Sequence, residues 1–378
     1  MSLYLDYNAS TPLNDEVAEF MAGLLSAQYG NADSRTHDHG TAAREVVETG
    51  RRHIAALLAV EPNEVIFTSG ATESDNMATL GIASYGIETG KKHIITTAIE
   101  HKAVLEPLKH LASQGFNVDF VAPDDSGRVS VNSITSKIRK DTMMVSVMSA
   151  NNETGVIQPY IEICDALDGS GVYFHIDAAQ SCGKMVDELR KAKYDMMSIT
   201  AHKMYGPQGI GALILRNRKY KKPPVKPITF GGGHENGFRP GTLPVILIAG
   251  FGKAAEIAIY NHITNWQRYV EIKADILRLL AASGVRYEIN GSQEVCMPNT
   301  LNVSFLGVDS EALMLATKQY CSLSNGSACT SSDYAHSHVL TAMGLSDERI
   351  ESAIRMSWGT EFSENELVKV LDAVNSLQ

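Results

Sequence analysis

The sequence predicts an α/β protein: a mostly parallel central sheet with helices on both faces, plus a smaller α+β domain. Three observations carry this. Short apolar runs alternate with amphipathic stretches over the first two thirds of the chain, as parallel strands joined by helical crossovers require. Polar residues gather where those runs end, which is where an open α/β sheet binds its ligands. From about residue 244 the alternation gives way to a long helical stretch followed by separate strands and helices. The 378 residues exceed the roughly 250–300 at which single cores stop growing, so two domains are expected. The larger is placed at 15–258, and the smaller combines 1–14 with 259–378.

Taken in order, residues 3–5 form a short strand closed by the polar turn DYNASTP. Residues 17–25 read as a helix, and YGNADSRTHDHG as a loop. A helix over 41–58 places Val46, Val47, Ile54, Leu57 and Leu58 at an approximate 3–4 spacing. Strand 64–68 turns through Ser69, Gly70, Ala71 and Thr72 directly into helix 73–83. Glycine allows close backbone approach, and the free N–H groups of a helix start attract phosphate, so this is the best anion cradle in the chain. The competing account is a plain capping turn. Strand 93–97 ends at Glu100, His101 and Lys102, before helix 103–113. His101 there is either a strand-end site residue or a solvated loop histidine.

Strand 118–121, a short helix 133–139 and strand 143–148 follow, the last ending at the polar run NNETG. Helix 161–167 leads to strand 172–176, which presents Asp177 and Gln180. Strand 196–199 presents Thr200, His202 and Lys203. The run GPQGIG leads into strand 212–215, and KKPPVKP is an exposed connection. The loop GGGHENG lacks the GxGxxG order of a dinucleotide site. A long helical region covers 244–280, with a break allowed near Tyr260. Strands 285–289 and 300–305 and helix 310–317 belong to the smaller domain.

Composition narrows the function. Apolar residues make up 44%, as in an ordinary globular enzyme. A net charge of -10 gives no basic face, so no direct nucleic-acid binding is expected, and the basic run RNRKYKK reads as a solvated loop. No run of about 18 apolar residues predicts a membrane span. The start MSLYLDYNAST lacks the charge and apolar core of a secretory signal. Five cysteines at irregular spacing suit free thiols in a reducing cytoplasm. His37/His39 and His336/His338 lie two apart on polar loops with no third ligand nearby, so no metal is expected.

Two neighbouring strand ends therefore carry an acid, Asp177, and a lysine, Lys203. Pyridoxal phosphate chemistry needs that pair: the amine bonds the cofactor aldehyde, and the acid keeps the pyridine nitrogen protonated. A capping Asp and a surface Lys are the competing account. Cys329 lies in LSNGSACTSS, whose small polar neighbours cannot pack a core. An exposed thiol there suits a nucleophile that swings between two partners. Cys164 and Cys321 lie in apolar settings and read as structural, and structure is favoured for Cys182 and Cys296. Arg355, in an apolar strand-like run, needs an anion, either an internal Asp or Glu or the carboxylate of an amino-acid substrate.

With these residues assembled, the chain resembles the cysteine desulfurases of the NifS/IscS type. The resemblance spans nearly the whole chain: LYLDYNASTP, FTSGATESDN, HIITTAIEHKAVL, SANNETGVIQP, HIDAAQSCGK, AHKMYGPQGIGAL, GGGHENGFRPGTLP, SNGSACTSS and IRMSWG. It implies the class V aminotransferase-like architecture, pyridoxal-dependent fold type I, and membership of the group with a long mobile cysteine loop. It implies pyridoxal 5'-phosphate as cofactor, with Lys203 bonding its aldehyde and moving the substrate Cα proton. Asp177 would pair with the pyridine nitrogen and Gln180 with the ring phenolic oxygen, while His101 would stack on the ring and assist proton transfer. Ala71, Thr72, Thr200 and His202 would bind the phosphate, and Thr242 would reach the phosphate of the partner subunit in a homodimer. Asn152 and Arg355 would hold the carboxylate of L-cysteine, and Cys329 would receive its sulfur as a persulfide, leaving L-alanine.

A sulfur-acceptor protein is implied as well, in iron–sulfur cluster assembly, tRNA thiolation or DNA phosphorothioation. The departures concern the acceptor: TAHK where a glycine often precedes the histidine, Asn325 where serine is frequent, FRPGT before the loop's end, and an end at Gln378 soon after the last helix. A selenocysteine lyase or other C–S lyase would not require Cys329. A sulfur-relay scaffold subunit would not require Lys203, Asp177, His101 and Cys329 together.

Overall fold

The computed structural model describes residues 2–27, 30–218, 221–325 and 336–378. Its strands, in chain order, are β1 (Leu3–Tyr4), β2 (Val65–Thr68), β3 (His93–Thr97), β4 (Asn117–Val121), β5 (Thr142–Met148) and β6 (Tyr173–Asp177). They continue with β7 (Met196–Thr200), β8 (Gly211–Leu215), β9 (Tyr287–Asn290), β10 (Thr300–Phe305), β11 (Cys321–Ser322) and β12 (Ala353–Ser357). Seven of them form the main sheet, in the order β2-β8-β7-β6-β5-β3-β4. The strands from β7 through β4 pair in parallel, and β8 runs antiparallel to both its neighbours. The sheet is thus mostly parallel, as expected.

Burial on both faces explains why β5 and β7 read as near-continuous apolar runs, interrupted by Ser146 and Ser198. Val145 and Val147 of β5 pack into a core with Ile54, Phe174 and Phe251. Met144 points the other way, against Ile66, Val104 and Leu213. A separate core gathers Leu5 with Ile272, Val303, Ile354, Trp358 and Leu371 around the antiparallel sheet β12-β10-β9. The parallel pair β1-β11 holds the N-terminal segment against the C-terminal part of the chain.

Local capping shifts several helix starts from their expected positions. The helix Asp38–Leu58 begins three residues early because His37 caps it, its Nδ1 accepting from the Gly40 N–H at 3.1 Å. The helix Ala71–Gly81 starts immediately after Gly70, two residues ahead of expectation. Ser130 caps Val131–Thr135, which stops short of the expected 139. The helix Val245–Ala282 is continuous over 38 residues, so no break occurs at Tyr260. What changes there is the helix's partner: Phe251 and Ala255 face the first core, whereas Tyr269 and Ile276 face the core around β10. Among the described residues no helix is long and apolar enough to cross a membrane.

Candidate active site

The carboxyl ends of β2, β3, β5, β6 and β7 open onto one cavity of about 480 Å³. Ten residues singled out from the sequence line it: Ala71, Thr72, His101, Asn152, Asp177, Gln180, Thr200, His202, Lys203 and Arg355.

At one end lies the start of the helix Ala71–Gly81, whose first turn no side chain caps. Open N–H groups at a helix start attract an anion. A Cβ at Gly211 would stand 2.7 Å from the Gly70 Cα, so only glycine there lets this turn lie against the start of β8. Buried Thr200 ends β7 beside it. His202 follows, its pKa pushed down to about 4 by burial and then by Lys203 and Lys184, so the ring is neutral near pH 7.

Lys203 closes the turn Ala201–Lys203 after β7. Its backbone is fixed from behind by Lys184, a buried residue whose ammonium donates to the carbonyls of Lys203 at 2.9 Å and Gln180 at 3.0 Å. Burial, and then Lys203, push the Lys184 pKa down to about 8. One cation thereby ties the lysine turn to the turn that carries Asp177 and Gln180.

Asp177 ends β6, and its Oδ1 accepts from the Ala179 N–H at 2.9 Å. Two further acids are buried around it. Glu100 accepts through Oε1 from Thr97 Oγ1 at 2.7 Å and the Met148 N–H at 2.9 Å, and burial pushes its pKa up to about 8. Asp75 is also held well above the usual carboxylate range, by burial and then by Asp177. His175 lies 3.5 Å from Asp75, is bonded by Ser146 and Ser198, and is pushed down to about 3 by burial. Near neutral pH this floor therefore holds a protonated Glu100 and a neutral imidazole. His101 is not a solvated loop residue. Its Nδ1 accepts from the Ala103 N–H at 3.1 Å, capping the helix Lys102–Ser113, so the ring proton sits on Nε2. Burial, and then Lys203, lower its pKa.

Gln180 donates through Nε2 to the Asn8 carbonyl at 3.0 Å, while its Oε1 is buried without a hydrogen-bond partner. Arg355 has an internal acid as a partner. Its Nη2 donates to Asp6 Oδ1 at 2.6 Å and to Ser324 Oγ at 3.1 Å, and its Nη1 to the Asn152 carbonyl at 3.1 Å. Its Nε is buried with no hydrogen-bond partner, and the residue still lines the cavity.

An uncapped helix start, an acid and a lysine on neighbouring strand ends, and the orphaned amide oxygen of Gln180 on the same cavity fit the phosphate, pyridine nitrogen, aldehyde and ring oxygen of pyridoxal phosphate. The comparison with known families agrees. The model of the family described as aminotransferase class-V matches residues 3–370. The chain belongs to the class-V aminotransferase family. Class-V cysteine desulfurases depend on pyridoxal phosphate.

The protein named cysteine desulfurase IscS of Pseudomonas putida is 42% identical over 386 residues, an alignment covering 100% of this chain and 94% of that one. Among solved structures, one described as a NifS-like protein is 34% identical with a TM-score of 0.90, covering 100% of this chain and 99% of the other. Another, SspA in complex with cysteine, is 33% identical with a TM-score of 0.83, covering 96% and 100%.

In this class-V chain Thr242 stands away from the cavity. Thr242 is exposed and does not line the cavity of its own chain; it borders a shallow depression with Glu73 and Arg239, which pair at 3.0 Å. Cys329 lies outside the described residues. Cys164, Cys182 and Cys321 are buried, and burial pushes each thiol up to about 12. Half-buried Cys296 has its Sγ 2.9 Å from Lys273 Nζ. Of the paired histidines, His37 caps a helix, His338 Nε2 lies 2.9 Å from the Glu100 carbonyl, and His336 lies 3.4 Å from Glu351. The basic run at 216–222 is not simply solvated: Arg216 and Arg218 lie over the rings of Tyr194 and Tyr173, and Arg218 pairs with Asp195. Asp6, Asp75, Glu100 and Lys184 were not singled out from the sequence, because nothing in its spacing shows what lies behind the strand ends.

Proposed function

We propose that the protein is a pyridoxal-phosphate-dependent cysteine desulfurase, converting L-cysteine to L-alanine and carrying the sulfur as a persulfide on Cys329. The observation that supports it best is the convergence of Lys203, Asp177 and Arg355 on one cavity. A lysine and an acid serve the cofactor, and a guanidinium lining the same cavity serves the carboxylate of an amino acid. The relative of Pseudomonas putida named cysteine desulfurase and the neighbour solved with cysteine point to the same substrate.

Bound pyridoxal phosphate supplies an electron sink for the charge that develops at the substrate Cα. Asp177 holds the proton on the ring nitrogen. Lys203 removes the Cα proton and can return it. His101, neutral with its proton on Nε2, would stack on the ring of the bound cofactor and assist proton transfer. Arg355 orients the carboxylate. The Cys329 thiolate attacks the substrate sulfur, the Cβ–S bond breaks, and the balance is L-cysteine plus the thiol giving L-alanine plus the persulfide. His202, neutral near pH 7, would donate an N–H to the cofactor phosphate without adding a charge, beside the helix start and the hydroxyls of Thr72 and Thr200.

In this reading the protein acts as a homodimer in which Thr242 reaches the partner's phosphate. The position of Thr242 away from its own cavity supports that arrangement. The free thiols among the described residues support a reducing, cytoplasmic setting. The acceptor is a protein of iron–sulfur cluster assembly, tRNA thiolation or DNA phosphorothioation.

The test is alanine and persulfide formation from L-cysteine by the yellow holoprotein. Lys203→Ala is expected to lose the visible band and to lower turnover by roughly 10²–10⁴-fold. Cys329→Ser is expected to keep the band and lose the persulfide. Sulfide release that survives Cys329→Ser unchanged would exclude the persulfide step and indicate a simple C–S lyase.

A further inference from the structure

Arg355 reaches the cavity as a cation that is already paired. Its Nη2 donates to Asp6 Oδ1 at 2.6 Å, and the arginine and aspartate side chains are 5% and 20% exposed. Asp6 does not line the cavity, whereas Arg355 and Asn152 do. Arg355 therefore stands between an acid on one side and the open cavity on the other. Its Nη1 carries two N–H groups and, among the described residues, donates one of them, to the Asn152 carbonyl, so a donor remains for an incoming anion while Asp6 stays bound.

Asp6 owes its position to more than this ion pair. Its carbonyl accepts from Tyr4 Oη at 3.1 Å and from the Ala9 N–H at 3.0 Å. The Leu5 N–H donates to the Ser322 carbonyl, and the Ser357 N–H to the Leu5 carbonyl. The backbone around Asp6 is held by β11 and β12 whether or not its side chain is charged.

We propose that Asp6 is the resident counter-ion of the carboxylate clamp, a positioning residue that weakens the hold of Arg355 on substrate and product alike. Two carboxylates sharing one guanidinium repel each other, so each lowers the affinity of the other. The product L-alanine carries the same carboxylate as L-cysteine. A clamp with undivided positive charge would bind both more tightly and slow product release without helping the chemical step. The inference rests on the desulfurase reading for the identity of the two ligands.

The test titrates the holoprotein with L-alanine, following the cofactor absorbance, and with L-alaninamide, which lacks the negative charge. Asp6→Asn keeps an acceptor for Nη2 and removes the charge. It is expected to bind L-alanine roughly threefold to tenfold more tightly and to leave the amide unchanged. The KM for L-cysteine is expected to fall while kcat stays level or falls. Asp6→Ser provides a second charge-free variant with the same expected sign, and a wild-type melting temperature for either variant establishes that it is folded. L-Alanine binding no tighter than wild type, or equal tightening of the amide, would overturn the proposal and leave Asp6 an ordinary structural partner. A wild-type protein that forms no alanine from L-cysteine would overturn the desulfurase reading instead, and the alanine titration still decides the role of Asp6.

Discussion

Glu100 shows how much of the site's chemistry lies behind the residues that touch the cavity's contents. The sequence marks it only as a polar residue after a strand. In the folded protein it is fully buried, with one oxygen bonded twice and the other without a partner. Its pKa is pushed to about 8 from the ordinary 4.5, first by burial, with nearby Asp177 adding to the shift. Between those two values the folded protein binds a proton that the unfolded chain has released. Stability therefore falls as pH rises from about 4.5 to about 8, and the full penalty applies above that window. Glu100→Gln keeps the acceptor for Thr97 and Met148 and removes the titration. Urea unfolding of the cofactor-free protein is expected to show the variant level with wild type near pH 5 and more stable by a few kcal/mol, as an order of magnitude, near pH 9. Identical pH slopes for the two proteins would show that Glu100 does not titrate in this range. Lys203 and Asp177 were legible in the sequence because strand ends announce them. Glu100 and Asp75 were not, because their effect depends first on burial and then on nearness to Asp177, neither of which spacing encodes.

At the scale of elements, two helices are set by a contact between glycines. A Cβ at Gly252, in the helix Val245–Ala282, would stand 2.4 Å from the Gly50 Cα in the helix Asp38–Leu58. The backbones touch there, and an alanine must push them apart. Gly252→Ala is expected to lower stability by about 1–3 kcal/mol for the strain, less up to about 1 kcal/mol gained in helix propensity. Gly23 in the helix Asp15–Ala27 is the internal control, since a Cβ there meets nothing within 4 Å. Gly23→Ala gains the propensity alone and is expected to raise the urea midpoint. Parallel changes in both variants would mean that the close approach carries no energy. Periodicity located nearly all of these elements, because burial on one face of a helix or both faces of a strand is written in the order of apolar residues. Their starts were less legible. His37 and Gly70 decide where two helices begin, the first through a side-chain cap and the second by leaving the cap open.

For the whole molecule, the order of the strands is the least legible feature, because pairing β2 with β8 rather than with β3 depends on where the crossovers land. The long helix bears more directly on function. Its first half packs with the core that carries Lys203 and Asp177, and its second half with the core around β12, which carries Arg355. On the proposed division at residues 258 and 259, Tyr260 sits at the joint, 77% exposed and inside an unbroken helix. Proline there removes one helix hydrogen bond and clashes with the preceding turn, at a cost of about 3 kcal/mol or more, while Tyr260→Ala loses almost no packing. If the continuous helix holds the two sides of the cavity in register, Tyr260→Pro is expected to split calorimetric unfolding into two transitions. It is also expected to raise the KM for L-cysteine, because the carboxylate clamp and the lysine come from opposite sides of the joint. Tyr260→Ala should do neither. A single transition, lowered in temperature with KM unchanged, would show that the contacts of β1 and Asp6 with the C-terminal segment couple the two sides without the helix.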